Sequence, residues 1–189
     1  PPVVTVDETT RTVDEGQEAS NSGSFSDVDG DAVILNVSVG TLEVDEDSWT
    51  WTYQTSDSLL DTQQVTITAT DSQGLSSSVS FTLQVNNVAP TAQFTNSSGE
   101  VGAGSSARLV FSDAFDPSPE DTAAGFLYSF DCTGDGTFLL ADATSLAFNC
   151  RPLGDMRASI ASPRSSPLNP GRPPAQASSA VVASMPTPK

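Results

Sequence analysis

Residues 49–53 read Trp-Thr-Trp-Thr-Tyr, an aromatic ring at every second position. Successive side chains of an extended chain point to opposite faces, so this period of two puts Trp49, Trp51 and Tyr53 on one face and both threonines on the other. A helix cannot produce that segregation. The same alternation recurs at residues 3–6, 19–25, 33–39, 41–44, 64–70 and 76–85, broken by turn-forming stretches at 29–30, 45–48 and 71–74. These short strands suffice for one antiparallel sandwich. The aromatic face is read as its core, because a module this small needs large side chains inside; a sugar-binding aromatic platform is the alternative.

After Asn86, Asn87, Val88, Ala89 and Pro90 a second series of runs begins, at residues 91–95, 107–111, 126–130, 137–140 and 146–150. This series stops two strands short of a closed sandwich. Beyond Cys150 the composition switches. Of 24 acidic residues, 23 precede Arg151, with only Arg11 and Arg108 as bases, whereas the remainder holds Asp155, five bases and eight of the thirteen prolines. Such a segment predicts no strands and a disordered tail. A GC-rich reading frame translated out of register has this look, and so does a natural linker.

The formal net charge of −17 repels nucleic-acid phosphates and attracts cations. Histidine is absent, which removes the Ser/His/Asp and Cys/His arrangements and the preferred ligand of catalytic zinc. No apolar run approaches the roughly 20 residues that cross a bilayer, so no membrane insertion is expected. Without an initiator methionine or signal peptide, the chain reads as a piece of a longer protein.

The segments VDEGQEASNSGSFSDVDGDAV, WTWTYQTSD and VTITATDSQGLSSSVSFTLQVNN, taken in order, resemble the cadherin-like and immunoglobulin-like repeats of large bacterial surface proteins. The stretch from APTAQF to YSFDCTGDGTF is similar to a polycystic-kidney-disease-type (PKD) domain. The resemblance implies an all-β chain of tandem immunoglobulin-like β-sandwiches. The first spans residues 1–87 and the second, incomplete, residues 88–150, with a disordered C-terminal tail over 151–189. In cadherin repeats calcium sits at module junctions. Matched residue by residue, Glu15 is the early acid, Asp27 and Asp29 the DxD pair, Asp71 the late aspartate, and Asn86 with Asn87 the linker. The linker departs from the family, VNN standing where cadherins carry DxNDN.

The residues of DVDGD support calcium independently. Calcium takes six to eight oxygens, and Asp27, Asp29 and Asp31 can converge if Gly30 lets the backbone fold back. Three carboxylates this close repel, and a cation relieves them; a solvated polar turn is the alternative. DCTGDG can also be read as part of an EF-hand loop, with Asp131, Thr133, Asp135, Gly136 and Asp142 in place, but it lacks the final glutamate and flanking helices. Cys132 and Cys150, with no third thiol, are expected to pair in an exported protein.

The expected function is a non-enzymatic, calcium-binding structural or adhesive repeat of a secreted or cell-surface protein. Its partners would be neighbouring repeats of the same chain, and another surface protein or a polysaccharide. An accessory module of a secreted hydrolase is the alternative.

Overall fold

The computed structural model describes residues 1–98, 105–151, 156–162 and 180–185. The chain divides into two compact units, Pro1–Asn87 and Val88–Lys189, each with its own apolar core. No helix among the described residues is long and apolar enough to cross a membrane.

The first unit runs β1 (Pro2–Val4), β2 (Thr10–Asp14), β3 (Glu18–Asp27), β4 (Val33–Val37), β5 (Thr41–Asp45), β6 (Ser48–Gln54), α1 (Ser58–Asp61), β7 (Gln63–Asp71) and β8 (Ser76–Asn86). One sheet has the order β1-β3-β6-β5 and the other β2-β8-β7-β4. All neighbours are antiparallel except β2 and β8, which run parallel from Thr10↔Thr82 to Asp14↔Asn86. The sequence reading omits β2. Its residues Thr-Arg-Thr-Val-Asp offer one apolar side chain, so its strand character comes from pairing with β8 rather than from its own pattern.

The aromatic face of β6 is core, as the alternation requires. Trp49 is 1 % exposed and Trp51 fully buried, which leaves no aromatic platform for a sugar. Trp51 meets Phe81 edge-on with centroids 4.9 Å apart, and its Nε1–H donates to the Val39 carbonyl at 2.7 Å. That bond needs the chain to leave β4 and turn sharply at Gly40, where φ is +85° and a Cβ would lie 2.4 Å from the indole nitrogen. Only glycine accommodates both demands.

The second unit runs β9 (Thr91–Asn96), β10 (Ala107–Phe115), α2 (Pro119–Ala124), β11 (Leu127–Asp131), β12 (Leu140–Ala143), β13 (Ala147–Cys150), β14 (Met156–Ala161) and β15 (Ala180–Met185). Its sheets have the orders β13-β10-β9 and β12-β11-β14-β15. Phe111 lies at the middle of the core, its ring 5.3 Å from Phe94, 4.9 Å from Tyr128 and 5.3 Å from Phe130. The Ser118 hydroxyl caps α2 by accepting the Asp121 N–H at 3.1 Å. Cys132 and Cys150 form a disulfide with Cα atoms 5.4 Å apart; Cys132 follows β11 and Cys150 ends β13, so the bridge joins the two sheets.

The all-β tandem class is as expected, but the absence of strands beyond Cys150 is corrected. β14 pairs with β11 from Leu127↔Ala161 to Asp131↔Arg157, and β15 pairs with β14. The run Met-Arg-Ala-Ser-Ile-Ala gives little warning. Ala158 and Ser159 are too small to mark an apolar face, yet Met156, Ala158 and Ile160 are all buried. The expectation of a wholly disordered segment 151–189 therefore fails at residues 156–161 and 180–185. The rest of it at 152–155, 163–179 and 186–189 lies outside the described residues. β12 also lies later than the expected 137–140.

Candidate metal centre

The chain contains Asp-x-x-Gly three times in turns, at residues 27–30, 71–74 and 131–134. Each glycine has φ in the left-handed region, +73° at Gly30, +85° at Gly74 and +72° at Gly134. In each turn the aspartate Oδ1 accepts the backbone N–H two residues on, at 2.8 Å from Asp29, 2.9 Å from Gln73 and 3.0 Å from Thr133. This is the Asx-turn, in which a short acidic side chain stands in for a backbone carbonyl. The three turns differ in what happens to Oδ2.

Asp131 is closed. Its Oδ1 also accepts from Gly134 N at 2.7 Å and Thr133 Oγ at 3.1 Å, and its Oδ2 accepts from Gly136 N at 2.9 Å. Burial pushes the Asp131 pKa up, but the N–H groups of Gly136, Thr133 and Gly134 outweigh it and hold the carboxyl below the ordinary aspartate value. A carboxylate whose two oxygens already take four internal donors organises a turn. The EF-hand arrangement would need those oxygens turned to an ion.

Asp27 and Asp71 are open. Asp27 Oδ1 takes Asp29 N and, at 3.4 Å, Asp31 N, while Asp71 Oδ1 takes Gln73 N and Leu75 N at 2.9 Å. Their side chains are 1 % and 2 % exposed. Asp27 Oδ2 is buried and accepts no hydrogen bond among the described residues. The backbone nitrogen of Pro1 lies 3.8 Å from Asp27 Oδ2 and 3.9 Å from Asp71 Oδ2, too far for hydrogen bonds.

Asp29 and Asp31 cluster with Asp27. One carboxylate oxygen from each of Asp27, Asp29 and Asp31 lies within 4.8 Å of the others. Two ligands on opposite sides of one ion with bonds of about 2.4 Å are separated by that much, so the arrangement fits calcium. Gln73 Nε2 donates to Asp31 Oδ2 at 3.2 Å and links the two turns.

The proposed ligand set does not converge as one site. Glu15, Asn86 and Asn87 belong to the other end of the first unit, separated from Asp27 and Asp71 by strands of ten and nine residues, or about 30 Å. There Glu15 N donates to the Asn86 carbonyl at 3.0 Å, and Asn86 Nδ2 donates to Asp14 Oδ1 at 3.2 Å. Asn87 follows, half-buried, after β8. Glu15 Oε2 accepts Ser58 N at 3.0 Å, at the start of α1. Nearby, burial works to raise the Asp61 pKa, but N–H groups of Ser56 and Asp57 and the Tyr53 hydroxyl hold it below the ordinary value. Sequence reasoning overlooked Gln73; its signal was its place inside Asp71-Ser-Gln-Gly74, the same pattern as Asp27-Val-Asp-Gly30.

No curated protein matches the chain. Among solved structures, titin domains Z1Z2 in complex with telethonin align at 13 % identity over 84 % of this chain and 87 % of that one, with a TM-score of 0.42. The Ig1-2 module of the Drosophila receptor protein tyrosine phosphatase DLAR aligns at 13 % over 87 % and 92 %, TM-score 0.39. Protocadherin gamma B2 cadherin domains 1-5 align at 19 % over 84 % and 36 %, TM-score 0.39. A family model matches at residues 1–84, which span the strands from β1 nearly to the end of β8. Over those residues the first unit is similar to the bacterial Ig domain.

Proposed function

We propose that this chain is a non-enzymatic, calcium-binding structural or adhesive repeat of an extracellular or cell-surface protein, its second unit being a PKD-type sandwich. The observation that carries the calcium reading is the buried Asp27 Oδ2, which has no hydrogen bond among the described residues, in a side chain that clusters with the carboxylates of Asp29 and Asp31. A carboxylate oxygen withdrawn from water needs a cation or a donor, and no hydrogen bond among the described residues reaches this one. The field favours a cation, because residues 1–87 hold fifteen acids and one base, Arg11. The match of residues 1–84 to the bacterial Ig domain supports a spacer or adhesive role, in which neighbouring repeats and surface ligands are the partners.

Isothermal titration of the whole chain with calcium tests the reading. A dissociation constant on the order of 0.1 to 1 mM is expected, with the heat lost in Asp27→Asn. An athermal and unsaturable titration up to about 10 mM, matched by no calcium-45 retention in equilibrium dialysis, would overturn it.

A further inference from the structure

Asp-Gly is the dipeptide in which an aspartate rearranges most readily, because glycine has no Cβ to shield its backbone nitrogen or to restrict the turn. The chain contains it twice, at Asp29-Gly30 and Asp135-Gly136. All four residues are exposed. What separates the two steps is how firmly hydrogen bonds hold the groups that would react, the aspartate carboxyl and the glycine nitrogen.

At Asp135-Gly136 both are held. Gly136 N donates to Asp131 Oδ2 at 2.9 Å, a charge-assisted bond, and Asp135 Oδ1 accepts the Thr137 N–H at 2.8 Å. The Thr137 N–H, helped by the Thr133 and Thr137 hydroxyls, keeps the Asp135 carboxyl below the ordinary aspartate value. An ionised carboxylate is a poor target for a nucleophile. At Asp29-Gly30 neither group is held. Gly30 N reaches only the Asp27 carbonyl, at 3.3 Å, and among the described residues no hydrogen bond reaches the Asp29 carboxylate. A Cβ built on Gly30 would meet nothing within 4 Å, so the turn has room to change shape.

We propose that Asp29-Gly30 is a site of spontaneous isomerisation to isoaspartate, and that Asp135-Gly136 is protected from it. The Gly30 nitrogen attacks Asp29 Cγ and gives up its proton; a C–N bond forms, a C–O bond of the protonated carboxyl breaks, and one water leaves. Water then opens the five-membered imide at the former peptide carbonyl, so the chain continues through Cγ. No oxidant or cofactor is consumed, and the mass is unchanged. The new link lengthens the main chain by a carbon and leaves a carboxylate one carbon shorter, which breaks up the grouping of Asp29 with Asp27 and Asp31. On the calcium reading above, on which this consequence alone rests, the turn loses its ion as the protein ages.

The test holds the whole chain calcium-free at neutral pH and body temperature, then digests it and locates isoaspartate by electron-transfer fragmentation. Position 29 should convert at least about tenfold faster than position 135, the factor that one hydrogen bond to a charged group confers. In urea the two rates should converge. Equal rates in the folded chain, or no isoaspartate at position 29 while the urea-unfolded chain forms it, overturns the proposal. The calcium-binding heat of the aged chain should fall in proportion to conversion at position 29. Full heat from a converted chain overturns the consequence for the ion. A fresh chain without binding heat overturns the calcium reading and leaves the isomerisation standing.

Discussion

Single side chains in this protein are told apart by where one oxygen points. Asp131 and Asp27 begin turns with the same sequence pattern, and the difference between them is Gly136, whose N–H closes Asp131 Oδ2. The sequence shows three equivalent Asp-x-x-Gly turns and does not show which are closed, because that depends on the path of the chain beyond the glycine. The Asp131 carboxyl is held below its unfolded value, so it contributes stability at pH above about 4, and that contribution fades as pH falls through the lower folded value. Asp131→Ala leaves the N–H groups of Thr133, Gly134 and Gly136 without their acceptor, at a cost of about 2–4 kcal/mol at neutral pH. Acid titration of wild type and variant, followed by calorimetry, should show their difference shrinking below about pH 4. A difference independent of pH would mean that the charge of Asp131 contributes nothing.

At the level of strands, legibility followed the contrast between the two faces. β6, with Trp49, Trp51 and Tyr53 opposite threonines, and β7, with Val65, Ile67 and Ala69 opposite Thr66 and Thr68, announce themselves. β2 and β14 do not. β2 has one apolar residue, and its place is fixed by parallel pairing to β8, which no local pattern encodes. β14 begins after an abrupt shift to arginine and proline, and its inward residues are small apart from Met156 and Ile160. Ile160 is fully buried opposite Tyr128, so Ile160→Ala should cost about 2–5 kcal/mol of second-unit stability. The amides of residues 157–160 should exchange slowly in the wild type. Rapid exchange there, or a neutral substitution, would remove β14 from the sandwich.

On the scale of the molecule, each unit carries its own handle. The first has both tryptophans and the open carboxylates; the second has the disulfide between its sheets. Reduction should therefore lower the calorimetric transition of the second unit by more than about 10 °C, since the bridge spans 18 residues and is worth roughly 3 kcal/mol. The tryptophan midpoint should stay where it is. A tryptophan transition that moves with reduction would refute this separation of handles. The ligand set read from the sequence was divided for a related reason: resemblance orders motifs along the chain, whereas strands of nine and ten residues carry neighbouring motifs to opposite ends of a sandwich.

One pairing has a mechanical consequence. β1 starts at the Asp27 end of the first unit and β8 finishes at the other, with β2 lying parallel to β8 over five residue pairs. Tension applied at the start of β1 and the end of β8 pulls along the strands, so the backbone bonds joining β2 to β8 resist together and in shear. Peeling would break them one at a time. A repeat wired in this way yields at high force and then abruptly, its endurance set by how fast the barrier is crossed under tension rather than by equilibrium stability.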